Sequence, residues 1–280
     1  MIGHLFLDYF VDSVTGSVLP RPKAGGTAFN AAIAFKARGF SPIVVGKVGK
    51  DRDGARLRAS LRRCRLDMLL GEDPARPTGR CYIHSTRLRD DTKRLVVNRD
   101  NANCYGLEFL EEAVARAEVE QGDLAFVAAH FIAAHTMAES RALFEMLSDR
   151  GLIVILDLVP HSLHRQVSAD QLAAIIGDRV RVLISELSTL QLLMRAPVSP
   201  GRIPWTRLMR RFRVSLIVAR FGFEDISRQI VRKRTRASAS VSLDVLADTG
   251  YADLPTELRR GHGDRLTADI LARFLSEIKS

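Results

Sequence analysis

Cysteine is scarce in this chain: three among 280 residues, Cys64, Cys81 and Cys104. An odd number without CxxC spacing argues against a disulfide framework or a zinc knuckle and for buried free thiols. Histidine is sparse at seven, and the local pair His161 and His164 has no third ligand nearby, so no side chain is assigned to a metal. Four tyrosines and one tryptophan provide no aromatic platform for stacking single-stranded nucleic acid. No apolar run reaches about 18 residues, so no membrane-spanning helix is expected. The opening MIGHLFLDYF has no basic segment and meets Asp8 too early for a signal peptide, which makes the cytoplasm the expected location. Low-complexity sequence and internal repeats are absent. The one Pro-rich connector, Pro197–Pro204, is too short to separate domains, so a single domain over residues 1–280 is expected.

What is present is ordinary in bulk and informative in detail. A hydrophobic fraction of 46% with 26% charged residues fits a globular protein able to bury a sizeable core. The net charge of +10 raises the question of nucleic acid. The strongest basic run, Arg228–Arg236, alternates partly with apolar residues, as one solvated strand face would. Nucleic acid is therefore not the expected partner, and a basic surface equally suits a protein that attracts anionic nucleotides.

Short apolar runs alternate with longer helical stretches. Strands are expected at Leu5–Phe10, Ile43–Val45, Ala125–Val127, Ile153–Leu156, Val180–Ile184 and Leu216–Ala219. Several are continuously apolar, as strands covered on both faces are. Helices are expected at Ala28–Ala37, Asp53–Arg63, Leu110–Ala117, Ala138–Ser148, Ala169–Ile176, Leu187–Met194 and Leu266–Ile278. This alternation predicts an α/β fold with a doubly wound, mostly parallel central sheet flanked by helices. Cys81–Ser85 and Arg94–Asn98 flank turn signals at Asp90 and Asp91 and read as a β-hairpin, to which Tyr9–Val18 adds a further strand. With residues 9–22 and 78–100 it is either a small lid over a pocket or an edge decoration.

Two glycine-led helix starts carry the chemistry. In GHGDRLTADILARFL, from Gly261, the stripe Leu266, Ile270, Leu271, Phe274, Leu275 and Ile278 starts a helix near Asp264. Free N–H groups of a first turn favour an anion, and two glycines let it come close. Asp264 is then either an N-cap or a carboxylate placed to take a hydroxyl proton beside a phosphate. In GGTAFNAAIAF, Gly25 and Gly26 either admit a ligand or form a simple turn. Asn30, one turn later, is either satisfied locally or functional.

Taken in order, GHLFLD (Gly3–Asp8), GGTAFN, GKVGKDRDG (Gly46–Gly54), PTGR from Pro77, DNAN (Asp100–Asn103), ILDLVPH from Ile155, FGFED at Phe221 and GHGD together resemble the ribokinase-like, or PfkB-type, family of sugar and nucleoside kinases. The resemblance implies ATP-dependent phosphorylation of a hydroxyl on a small sugar, sugar-like or nucleoside acceptor. It assigns Asp264 as general base and the amides of Gly261, His262 and Gly263 as the anion hole, with His262 where alanine is usual. Asp8, Gly25, Gly26 and Asn30 match the groups that hold the acceptor's hydroxyls, Gly222 matches a nucleotide-side position, and Mg2+ would bridge the nucleotide phosphates. His130 aligns near the acceptor pocket, and relatives suggest a homodimer through the lid.

Three departures stand against that pattern. The family's Asn-x-x-Glu element aligns with Ser185–Ser188, where Glu186 is the carboxylate able to take its place on the cofactor side. Leu258, Arg259 and Arg260 replace the Asp-Thr before the last turn; the arginines either meet phosphate or form a surface pair. Only Met1 precedes Ile2, and the chain stops at Ser280 where the family continues with a helix that walls the adenine pocket, so weak nucleotide affinity or completion by a partner subunit is expected. The alternative function is a catalytically degenerate relative, a regulator or accessory subunit that binds a small molecule.

Overall fold

A computed structural model describes residues 1–12, 15–84, 94–98, 100–159, 163, 166–194, 205–220, 228–233, 243–247 and 267–272. The chain forms two compact units, Met1–Glu118 and Val119–Ser280.

In the first unit β1 (Phe6–Val11) lies between β2 (Lys23–Gly25), antiparallel to it, and β5 (Arg80–His84), parallel to it; β6 (Arg94–Val97) completes the sheet, in the order β2-β1-β5-β6. The expected hairpin is therefore β5–β6, while the expected strand over Tyr9–Val18 is the end of β1 itself, with Val11 bridging to Val18. β3 (Ile43–Gly49) pairs in parallel with β4 (Asp67–Asp73) over seven residues each. Helices α1 (Thr27–Lys36), α2 (Arg52–Arg63) and α3 (Leu107–Arg116) belong to the same unit. The core joins Leu5 and Leu7 to Ala28 and Ala32 of α1, Val44 and Val48 of β3, and Leu57 and Leu61 of α2. Alanine on the buried side of α1 lets that helix approach closely, so small residues serve packing here.

The second unit is the wound half. β7 (Leu124–Ala128), β8 (Ile153–Asp157), β9 (Val180–Glu186) and β10 (Leu216–Arg220) are parallel and adjacent in chain order; β11 (Arg228–Lys233) and β12 (Leu243–Ala247) extend the sheet antiparallel. Between them run α4 (His130–Ala134), α5 (Met137–Asp149), α6 (Ala169–Ile176), α7 (Leu187–Met194) and α8 (Trp205–Phe212). Capping boxes start α5 (Thr136 with Glu139) and α6 (Ser168 with Gln171), each satisfying N–H groups that the first turn leaves open. Trp205, Leu208, Met209 and Phe212 bury one side of α8 at helical spacing. Of the expected C-terminal helix, residues 267–272 are described and helical, with Ala268, Ile270 and Leu271 buried.

Candidate active site

β1, β2 and the start of α1 bring four of the expected acceptor-binding residues into one corner of the first unit. Asp8 is 5% exposed and lies across from Lys23 on β2 and Cys81 on β5. Gly25, the last residue of β2, pairs with Phe6. Gly26 is the N-cap of α1 at φ 92 and ψ 161, a region open in practice only to glycine, and a Cβ there would run into the carbonyl of His4. Glycine at this position thus admits the neighbouring backbone of His4. Asn30, half-buried one turn into α1, has no side-chain hydrogen-bond partner among the described residues, so its carboxamide is not spent on local structure.

Beside this corner, the run GKVGKDRDG interlocks with PTGR through carboxylates at the start of α2. Asp51 caps α2 by accepting from Gly54 N at 2.7 Å, and it accepts from Thr78 N at 2.9 Å and Thr78 Oγ1 at 2.5 Å. Burial acts to raise the Asp51 carboxyl, but the bonds from Thr78 and Gly54 outweigh it and set the group below its ordinary value. Thr78 Oγ1 in turn accepts from Gly49 N at 3.0 Å, and a Cβ on Gly49 would lie 2.5 Å from Thr78 N. Asp53, buried two residues on, receives Tyr9, Arg80 and Arg56. DNAN has an equally structural use: Asn103 accepts from Leu5 N at 2.8 Å and donates to Leu5 O at 2.9 Å, fastening the chain just ahead of β1.

In the second unit, the carboxyl edge of the parallel strands is where wound sheets bind ligands. Arg220 closes β10 and donates to the Asp157 carboxylate at the end of β8 at 2.6 Å, across the intervening β9. The two side chains are 11% and 2% exposed, so this is a buried ion pair in which the two charges offset one another. Ser185 is fully buried and spends its hydroxyl on the Glu186 carbonyl at 2.9 Å. Side chains alternate along a strand, so Glu186, across from Arg220, shares the face of Asp157 and Arg220, while Ser185 takes the other. His130 begins α4 after β7 and is half-buried.

Sequence reasoning missed the Asp53 cluster and the Asp157–Arg220 pair. The second had a signal, since each residue ends an otherwise apolar strand; at Asp53 only Arg56 is local, while Tyr9 and Arg80 come from distant segments. The expected site residues Gly261, His262, Gly263, Asp264 and Gly222 lie outside the described residues, as do Leu258–Arg260, His161 and His164. Among the described residues no cluster of three or more His, Cys, Asp or Glu could hold a metal ion, and no helix is long and apolar enough to cross a membrane.

The chain belongs to the pfkB family of carbohydrate kinases, whose model matches residues 20–194, more than half its length. The structure agrees with the ribokinase-like fold of solved relatives. A PfkB protein from Polaromonas sp. JS666 is 16% identical with a TM-score of 0.72, covering 99% of this chain and 88% of its own. Anopheles gambiae adenosine kinase, in complex with P1,P4-di(adenosine-5) tetraphosphate, is 15% identical with a TM-score of 0.73, covering 99% and 88%. A fructokinase double mutant from Vibrio cholerae O395 with fructose, ADP and a potassium ion bound is 18% identical with a TM-score of 0.70, covering 98% and 82%. No curated protein matches significantly in sequence.

Proposed function

We propose that this protein transfers a phosphoryl group from ATP to a hydroxyl of a small sugar, sugar-like or nucleoside acceptor. One observation carries the reading: β2, which ends in Gly25, pairs with β1, which carries Asp8, and leads through Gly26 into α1, which carries the uncommitted Asn30 carboxamide, so this segment offers acceptors and donors suited to a polyol. Asp264 takes the proton of the attacking hydroxyl, and the amides of Gly261, His262 and Gly263 stabilise charge on the moving phosphoryl. Glu186, beside Asp157 and Arg220 at the carboxyl edge, gives that edge oxygen donors of the kind Mg2+ prefers, and Gly222 belongs to the nucleotide side. Bound Mg2+–ATP supplies the activated phosphoryl group and offsets its charge. The test is turnover with Mg2+–ATP across a panel of sugars, cyclitols and nucleosides. Phosphorylated product from any class supports the reading. Tight binding of one compound without turnover favours the degenerate regulator instead.

A homodimer through the lid has its own support. Val18, Leu19, Val96 and Val97 are exposed apolar residues on or beside the β2-β1-β5-β6 sheet. Light scattering should then report a dimer, and a strictly monomeric species counts against it.

A further inference from the structure

The Asp53 carboxylate lies at the root of both segments that form the four-stranded sheet, and we propose that it is a positioning residue that sets where the acceptor-binding face of β1 stands. Asp53 belongs to the first turn of α2 and its side chain is only 5% exposed. Three donors converge on it. Tyr9 Oη lies 3.1 and 3.0 Å from its two oxygens, Arg80 Nε 2.7 Å from one, and Arg56, on its own helix, 3.2 Å from the other. Tyr9 comes from β1 and Arg80 opens β5, so one core carboxylate gathers the two parallel neighbours at the base of the sheet.

The strand register says what this fastening controls. Leu7 lies across from Arg80, Asp8 from Cys81 and Tyr9 from Tyr82. Paired residues share a face and successive ones alternate. Tyr9, Arg80 and Tyr82 therefore occupy one face, where the rings of Tyr9 and Tyr82 stack 5.4 Å apart at 25°. Asp8 lies on the other, with Phe6, Phe10, Cys81 and Ile83, which pack as a small apolar cluster. Asp53 holds the sheet by the face turned away from Asp8. A strand gripped on that face cannot roll or shift without moving Asp8, because the two side chains leave adjacent residues of one stiff backbone.

Three donors on a buried carboxylate exceed what capping requires, since Asp51 already caps α2. An apolar contact would hold β1 as well against unfolding but would tolerate sliding; directional bonds do not. Asp53 thus acts on acceptor binding through Tyr9 and Asp8 without touching the acceptor. This last step rests on the kinase reading, in which Asp8 meets the acceptor.

The test uses the full chain with Asp53→Asn, and with Tyr9→Phe as a milder second variant that keeps Asp53 and Arg80 paired. Steady-state kinetics with the best acceptor and Mg2+–ATP should show acceptor KM raised about tenfold in Asp53→Asn and about threefold in Tyr9→Phe, with the KM for ATP unchanged. Hydrogen exchange at the β1 and β5 amides should accelerate in both variants without ligand. A KM for acceptor within twofold of the parent in folded Asp53→Asn overturns the proposal, and so does unchanged exchange at β1. If the parent turns over no acceptor, the kinase reading fails by itself, and the exchange measurement still decides whether Asp53 holds the strand.

Discussion

Asp51 offers the sharpest quantitative check on the junction between the expected lid and its core. Replacing it with alanine removes the N-cap of α2, which costs about 1 kcal/mol, and leaves the Thr78 amide without an acceptor, which costs about 1–3 kcal/mol more. Thr78 is fully buried, so water does not easily take over. The sum is about 2–4 kcal/mol, read by urea denaturation at neutral pH. Asp51→Asn keeps an oxygen for Gly54 and so the cap, but turns its NH2 group toward the Thr78 amide, which should cost about 1–3 kcal/mol. The pH dependence follows from the lowered value of the carboxyl. A group whose folded value lies below its unfolded one contributes stability fully above the unfolded value, about 3.9, and loses it as pH falls through the folded value. The gap between parent and Asp51→Asn should therefore be constant from neutral pH down to about 4 and shrink below that. A loss under about 1 kcal/mol in Asp51→Ala, or a gap that widens on acidification, would show that Asp51 does not hold Thr78 and the α2 cap as described.

Two further outcomes are expected. Gly26→Ala, forced into a glycine-only backbone region against the His4 carbonyl, should lower stability by about 1–3 kcal/mol, and a neutral substitution would show that the turn is not built as described. Burial pushes the Cys81 thiol up to about 11 while Cys104 is exposed, so an alkylating reagent at about pH 8 should modify Cys104 quickly and spare Cys81 until the fold is opened; peptide mapping after timed labelling reads this, and equal rates would contradict it.

Periodicity made most of the wound half legible, because β7 to β10 are buried on both faces and read as short apolar runs between capped helices. What escaped had weaker patterns. β4, DMLLGED, is only half-buried and carries acids at its end, so neither alternation nor a long apolar run marked it. α8 follows a proline and is crowded with arginine, although Trp205, Leu208, Met209 and Phe212 keep a helical stripe. At the site, motif order pointed to Asp8, Gly25, Gly26 and Asn30, which the fold gathers in one corner. The uses of Gly49, Thr78 and Asn103 could not be read, since each is defined by a partner far away in sequence. The Asp53 cluster is the extreme case, with Tyr9 of β1 and Arg80 of β5 joining the helix neighbour Arg56 although no local pattern connects them.

In the proposed reaction a carboxylate beside the last glycine turn draws a proton from the acceptor as phosphate arrives. Asp264→Asn tests it most directly, with phosphorylated product measured from Mg2+–ATP and the best acceptor, and with thermal melting to verify the fold. The expected result is a loss of about a hundredfold or more in kcat with acceptor affinity retained. Turnover close to that of the parent in a folded Asp264→Asn protein would contradict it.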